Sequence, residues 1–253
     1  FRLWQFFRVR YAVQFASSLA ISLQHNALNN LLPARTGELS LPALMKVRYG
    51  ILMTESGAAL IWFRALDMLA LLSLCLVAFS ARMQQPAWLL ILVPVWAIPF
   101  AARSWMPRPA CDSMEKIPGN RRQKLSNWVN TIVPRDAERF YGSMFLSVLN
   151  WMVKLAMLAV ILGFYLELPW HHALLGVIGG EITSVLPIHA PGGFGTYEAG
   201  VIAALSPSNL SVDQLVAGAV GIHFLTLGAS LLAGALSFAL PTQPNSVVTK
   251  HAA

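Results

Sequence analysis

The amino-acid sequence predicts an all-α fold, a polytopic bundle of transmembrane helices with two re-entrant or broken-helix hairpins. Of its 253 residues, 56% are hydrophobic and 11% are charged, whereas soluble domains carry about 25% charged residues. Four apolar runs approach the roughly 20 residues that cross a bilayer. They are Ala58–Ser80, Trp88–Ala102, Tyr141–Leu166 and Leu215–Leu240. Two further apolar segments are interrupted by proline and glycine.

The orientation of these runs follows from the loop at residues 103–140, which is rich in lysine and arginine. Its basic residues are Arg103, Arg108, Lys116, Arg121, Arg122, Lys124, Arg135 and Arg139. Because such loops stay in the cytoplasm, Trp88–Ala102 is expected to run inward and Ala58–Ser80 outward. By the same rule Arg2, Arg8 and Arg10 are expected to lie on the cytoplasmic side.

The first interrupted segment lies between two ends that are both expected to be cytoplasmic. The stretch Tyr11–Leu32 must therefore cross an even number of times, and its many amides and hydroxyls are too polar to face lipid. We predict a helix that enters the membrane, breaks at NNLLPARTGE and returns as Leu39–Arg48. We call Asn29–Glu38 the first break. Broken backbone at membrane depth requires protein or a water-filled cavity to satisfy its polar groups.

The second half of the chain repeats this pattern. Tyr141–Leu166 is expected to run outward, and the short apolar segment His171–Ile188 is interrupted by PGGFGTYE before a helix through Leu205. We call Pro191–Glu198 the second break. Val212–Leu240 then returns to the cytoplasm. Interrupted segments at matching positions of two halves are typical of a binding site at the membrane midplane.

The whole chain, residues 1–253, is expected to form a single integral membrane domain. The chain opens with Phe1 instead of methionine and in the middle of the pattern FRLWQFFRVR. We therefore expect that a preceding segment is missing.

The first break offers polar groups for a substrate, namely Asn29, Asn30, Arg35 and Glu38. Arg35 would suit a phosphate, because the planar guanidinium binds two oxygens at once. In a second interpretation Arg35 and Glu38 pair with each other, or lie at the headgroup level and fix the topology.

The second break contains Gly192, Gly193 and Gly195, which permit positive φ and close backbone approach. The helix that follows would offer free N–H groups to an anion. Glu198 lies in the first turn of that helix. Two interpretations are open: a capping carboxylate in a tight turn, or a partner of Arg35 across the site.

Charged residues within the spans are expected to be paired. Arg64 and Asp67 are three residues apart and share a helix face, which predicts a structural ion pair. Lys154, Glu181 and His189 either face a cavity, make buried hydrogen bonds or extend their polar ends towards the membrane surface by snorkelling.

Several function classes find no support in the sequence. No nucleophile and base occur at a readable spacing, so no catalytic residue is assigned and no enzyme activity is expected. Cys75 and Cys111 have no metal-site spacing, and neither a metal nor a cofactor is expected. The net charge is +7, but the basic residues flank membrane runs, where they meet lipid headgroups. Nucleic acid is therefore not an expected partner.

Four motifs together resemble the lysylphosphatidylglycerol synthase transmembrane, or flippase-like, family. They are NNLLPARTGELS, FRALD, Trp151 with Lys154, and PGGFGTYEAG, and the resemblance covers nearly the whole chain. It implies a role in moving aminoacylated phospholipids or other lipid-linked molecules between leaflets. Its site positions would be Asn29, Asn30, Pro33, Arg35, Gly37 and Glu38, the pair Arg64 and Asp67, and Pro191, Gly192, Gly193, Gly195 and Glu198. The chain departs from the family at Ala34, where relatives often have glycine.

The bifunctional synthases of this family also carry a C-terminal aminoacyltransferase domain, which this sequence lacks, so synthase activity is not expected. Three functions remain open. In the first, Arg35 and the helix N-terminus near Gly195 hold the headgroup of a phospholipid or lipid-linked substrate while a flippase moves it. In the second, the protein is an accessory subunit or transferase in lipid or cell-envelope biosynthesis. In the third, it is a scaffold. The expected location is the cell inner membrane, as a multi-pass protein that forms homo-oligomers or binds a lipid-biosynthesis enzyme.

Overall fold

In the computed structural model, the described residues are 1–104, 131–185, 190–206 and 208–240, with only the backbone of residues 33–35. This part of the chain is all-α and contains nine α-helices. They are α1 (Arg2–Phe7), α2 (Phe15–Leu31), α3 (Ser40–Tyr49), α4 (Met53–Met83), α5 (Leu92–Ser104), α6 (Ala137–Leu166), α7 (Trp170–Val185), α8 (Thr196–Leu205) and α9 (Val212–Leu236). The predicted all-α helix bundle is confirmed.

Within the described part of the chain, four helical stretches are long and apolar enough to cross a membrane. They are Met53–Met83, Pro86–Ser104, Ala137–Leu166 and Val212–Ala239. Each contains or closely overlaps one of the predicted runs. Their outer faces carry large apolar side chains such as Val93, Phe164 and Leu232, which are 71%, 84% and 62% exposed. An exposed apolar surface of this kind suits contact with lipid tails, and the protein is a multi-pass membrane protein.

The core consists of two apolar clusters that share the long helices α4 and α6. One cluster joins α1, α2 and α3 to the first half of α4, with Phe6, Met45 and Phe63 among its buried residues. The other joins the second half of α4 to α7, α8 and α9, with Leu71 and Val177 among its members. Each broken-helix hairpin thus packs against a different half of α4 and α6.

The first break is present in the structure. α2 ends at Leu31, the short 3-10 helix Pro33–Leu39 follows, and α3 begins at Ser40. Gly37 lies directly against the end of α2, because a Cβ atom there would be 2.5 Å from the Asn29 Cα atom. Glycine therefore lets the 3-10 segment fold back onto α2.

The second break is also present, between α7 and α8. The three glycines that were expected to permit positive φ adopt it, with φ of 66° at Gly192, 77° at Gly193 and 79° at Gly195. This backbone conformation is strained for other residues. Of the preceding residues, 186–189 lie outside the described part, and with them His189.

The structure therefore contains both helix breaks, and re-entry of the two hairpins from one side of a membrane stays a prediction. Of the loop at residues 103–140, residues 105–130 lie outside the described part, as does Cys111. The cytoplasmic position of this loop and the domain boundaries also stay predictions.

The α7–α8 hairpin depends on small residues. A Cβ atom on Gly179 would collide with the Gly200 backbone carbonyl, and one on Gly200 with the Gly179 carbonyl. Glycine at both positions lets the two backbones approach, as is common between membrane helices.

We expect Gly179→Ala to lower the free energy of unfolding by about 1–3 kcal/mol, because backbone must move to admit the methyl group. The measurement is thermal unfolding in detergent, with a midpoint lowered by at least about 2 °C. Gly221→Ala in α9 is the matched control, since a Cβ atom there meets nothing within 4 Å. Equal midpoints for the two variants would contradict the close packing.

Candidate functional site

The two breaks lie next to each other. The 3-10 turns of the two breaks contact each other, and the second break also contacts α2. The Asn30 amide at the end of α2 donates a hydrogen bond of 2.8 Å to the Ser230 hydroxyl of α9. Gly234 of α9 packs against Ala27 of α2. These contacts bring the candidate residues of both halves into one region between α2, α9 and the middle of α4.

Asp67, halfway along α4, is the most highly connected carboxylate of this region. Its side chain is 4% exposed. It forms an ion pair with Arg2 through the two terminal guanidinium nitrogens, Nη1 and Nη2, and Nη2 lies 3.2 Å from Oδ2. It also accepts a hydrogen bond of 2.9 Å from the Trp151 indole. Arg2 also donates to the Ser147 hydroxyl at 2.8 Å. Asp67 thereby ties α1, α4 and α6 together.

Arg64 connects the first break to α4. Its Nε atom lies 3.1 Å from Glu38 Oε1, while its Nη1 atom lies 3.8 Å from Asp67 Oδ2. The predicted partners Arg64 and Asp67 are thus close, but each has a nearer partner: Glu38 for Arg64 and Arg2 for Asp67. The side chains of Arg64 and Glu38 are 27% and 25% exposed. The side chain of Arg35 lies outside the described part of the structure.

The three arginines at the start of the chain have different partners. Arg8 and Arg10 form ion pairs with Glu138 and Glu55 at the starts of α6 and α4. Arg2 instead reaches Asp67, which lies about 18 Å further along α4 than Glu55 at 1.5 Å per residue. Residue spacing suggested only Arg64 as a partner for Asp67, so the ion pair with Arg2 was not predicted. The cytoplasmic position of all three arginines stays a prediction.

Glu198, the last residue of the second break, connects Gly195 of the break to His223 of α9. Its Oε2 atom accepts a hydrogen bond of 2.7 Å from the Gly195 N–H, which caps α8. Its Oε1 atom lies 2.7 Å from His223 Nδ1, and His223 Nε2 lies 2.9 Å from the Gly192 carbonyl oxygen. His223 is 4% exposed. The capping geometry is thus observed, together with a histidine partner.

His223 is not among the site residues predicted from the sequence. Its side chain is stacked on Tyr197, with ring centroids 4.7 Å apart and an interplanar angle of 19°. The available signal was a single histidine in the otherwise apolar middle of α9, since ionisable residues within spans are usually functional. Its partner lies 25 positions away, beyond the reach of helical spacing.

Lys154 and Glu181 form a further ion pair, in which only the carboxylate is buried. Lys154 Nζ of α6 lies 2.7 Å from Glu181 Oε2 of α7, and the two side chains are 39% and 4% exposed. The ammonium also lies 5.1 Å from the Trp151 ring centroid. For Glu181 this geometry matches the interpretation as a buried hydrogen bond.

Two cavities lie away from the breaks, beside α1, the segment that follows it and the start of α6. The larger, about 330 Å³, is bordered by Trp4, Arg8, Tyr11 and Glu138, among others. The smaller, about 180 Å³, is bordered by Arg10 and Glu55 among others. Burial and the hydrogen bond to Glu55 raise the pKa of Tyr11 to about 12. Neither cavity is lined by residues of the breaks, which are packed against each other in this conformation.

Among the described residues, no group of three or more His, Cys, Asp or Glu side chains could hold a metal ion.

We expect Asp67→Asn to lower the free energy of unfolding by about 3 kcal/mol or more, because Arg2 and Arg64 lose the negative charge that compensates them in a buried site. The measurement is unfolding in detergent, with the exposed Asp213→Asn as the matched control. In a double-mutant cycle, adding Arg2→Gln to Asp67→Asn should cost much less than Arg2→Gln alone. Additive losses would show that the two residues do not act as a pair.

The family model described as lysylphosphatidylglycerol synthase TM region matches residues 1–234 of the 253. No curated protein and no solved structure matches the chain. The matched residues include both breaks, the Asp67 cluster and almost all of the four membrane-crossing stretches. The resemblance found in the sequence motifs is thereby confirmed, and this multi-pass membrane protein belongs to the lysylphosphatidylglycerol synthase TM region family.

Proposed function

We propose that this protein moves a phospholipid or lipid-linked molecule, such as an aminoacylated phospholipid, between the leaflets of the cell inner membrane. The headgroup passes between the first and the second break, while the acyl chains stay in lipid. The observation that carries this proposal is the meeting of two broken helices, with their ionisable side chains, between helices that cross the membrane.

The ionisable side chains at the two breaks support the proposal. An unpaired charge within a span costs about 2.5–3.5 kcal/mol even on insertion scales. The Arg64–Glu38 pair and the Glu198–His223 pair nevertheless lie here, on the two breaks. A purely structural bundle could do without them, whereas a headgroup that crosses the bilayer needs polar partners along its path.

The chemistry of the first break fits a headgroup that carries both charges. Arg64 and Glu38 are each about one quarter exposed, in contrast to the buried Asp67. A phosphate can replace Glu38 as the partner of Arg64, and an ammonium can replace Arg64 as the partner of Glu38. A headgroup with both groups can therefore separate Arg64 from Glu38 and still leave each of them with a charged partner. Arg35, in the same break of the sequence, is the second guanidinium that we propose for the phosphate.

Passage of the headgroup requires the breaks to separate. The Asn30–Ser230 hydrogen bond holds the first break to α9, the helix to which His223 also holds the second break, and a single bond between neutral groups contributes only about 0.5–1.5 kcal/mol. Asn29 stands beside it at the end of α2. In the second break, Gly192, Gly193 and Gly195 give the backbone the freedom to bend away from α9.

We expect the protein in proteoliposomes to speed the exchange of a fluorescent phospholipid between leaflets, and Arg35→Ala and Glu38→Gln to slow it at least about tenfold, or about 1.4 kcal/mol in the barrier. Each variant loses a charge that the headgroup would meet. The rate is measured as accessibility of the fluorophore to a membrane-impermeant quencher, for an aminoacylated, an anionic and a zwitterionic lipid.

Matched controls separate this result from loss of folding. Arg82→Ala and Glu167→Gln remove the same charges at the far ends of α4 and α6 and should leave the exchange rate unchanged. All variants are checked by thermal unfolding. Exchange at the rate of empty vesicles for every lipid would contradict transport and would favour an accessory subunit of a lipid-modifying enzyme.

A further inference from the structure

The Glu198–His223 pair has a hydrogen-bond pattern that requires an additional proton. The Gly192 carbonyl can only accept, so His223 Nε2 must carry a hydrogen to make its 2.9 Å contact. The Glu198 carboxyl group already accepts the Gly195 N–H through Oε2. The 2.7 Å contact between Oε1 and Nδ1 then also needs a hydrogen between its two atoms.

Two arrangements supply that hydrogen. Either His223 is an imidazolium that donates to an ionised Glu198, or Glu198 is protonated and donates to a neutral His223. Both contain one proton more than a neutral imidazole beside a carboxylate. The number of protons on the pair is therefore fixed by the geometry, whichever atom carries the last one.

The neighbouring helices provide the titratable groups that face this pair. Tyr197 of α8 stacks on the His223 ring. Behind Tyr197 lies Glu181 of α7, which acts on it electrostatically and is already neutralised by Lys154 of α6. On α2, His25 is turned to the Ser40 hydroxyl, at 2.9 Å. The charge of the pair is thus balanced by the additional proton that its two side chains share and by the Gly195 N–H.

The pair also fastens the second break to α9. His223 holds the Gly192 carbonyl with one ring nitrogen and the first turn of α8 with the other. Without the additional proton, the Nδ1 lone pair would face a carboxylate oxygen at 2.7 Å, and two acceptors repel each other. His223 lies near the middle of the span Val212–Ala239, where ionisable pairs commonly act in proton relays.

We infer that Glu198 and His223 form a proton-binding site, and that the second break separates from α9 when the site releases its proton. In this step the N–H or O–H bond between the two side chains breaks and a water molecule takes up the proton, which leaves neutral His223 and ionised Glu198. The occupancy of this site does not depend on which lipid, if any, is moved. If the proposed transport takes place between the breaks, this site makes it sensitive to protons.

Glu198→Gln is the decisive variant. Its amide oxygen can accept the Gly195 N–H while its NH₂ group donates to His223 Nδ1, so every hydrogen bond is kept without the additional proton. The full chain, wild type or variant, is placed in lipid nanodiscs with ¹⁵N-labelled histidine. Nitrogen chemical shifts give the protonation of His223, and infrared spectroscopy gives that of Glu198, with Glu167→Gln as the control for loss of an exposed carboxylate.

At neutral pH we expect the wild type to show an imidazolium at His223 or a protonated Glu198, because the hydrogen-bond pattern requires the additional proton. In Glu198→Gln we expect a neutral His223 with hydrogen on Nε2. An ionised Glu198 beside a neutral His223 in the wild type would overturn the proton-binding site. Since neither signal depends on lipid exchange, failure of the transport assay leaves this test intact.

Movement of the break is followed by amide hydrogen exchange at Gly193–Thr196. After correction for the intrinsic effect of pH, we expect protection in the wild type to fall at least tenfold as the proton is lost, and protection in Glu198→Gln to stay constant. Constant protection in the wild type across the deprotonation would overturn the coupling to the break.

Discussion

The ion pair between the buried Asp67 carboxylate and Arg2 is the interaction on which the N-terminal half of the structure depends. Hydrocarbon and a close-packed protein interior both disfavour an isolated charge, so α1 and α6 must bring Arg2 and Trp151 to the middle of α4. Arg64 continues this cluster to Glu38. The first break is therefore positioned by a chain of charges that begins at Asp67, and not by apolar packing alone.

The second break meets the same requirement with different groups. Glycine backbone makes the turn, and the Glu198 carboxyl group and His223 satisfy the polar atoms that the turn exposes. The close approach of Gly179 and Gly200 fixes the hairpin that presents this turn to α9. Each break is thus satisfied largely by its own partners, and the two breaks lie next to each other.

Much of this architecture could be predicted from the sequence, because its determinants are local. Apolar runs define the spans, and the proline and glycines of NNLLPARTGE and PGGFGTYE define the breaks. The ion-pair partners could not be predicted in the same way. Helical spacing suggested Arg64 for Asp67, yet Arg2 is closer, and Glu198 pairs with a histidine on another helix. Such choices depend on tertiary packing, which residue spacing does not encode.

The central claim is that a headgroup passes between the two breaks when the first break separates from α9, the helix that also holds the second break through His223. The most direct test joins Asn30→Cys and Ser230→Cys by a reducible crosslink in a chain whose Cys75 and Cys111 are replaced by serine, and measures lipid exchange in proteoliposomes. We expect the crosslinked protein to exchange lipid no faster than empty vesicles, and reduction to restore the rate. Undiminished exchange in the crosslinked protein would contradict passage between the breaks.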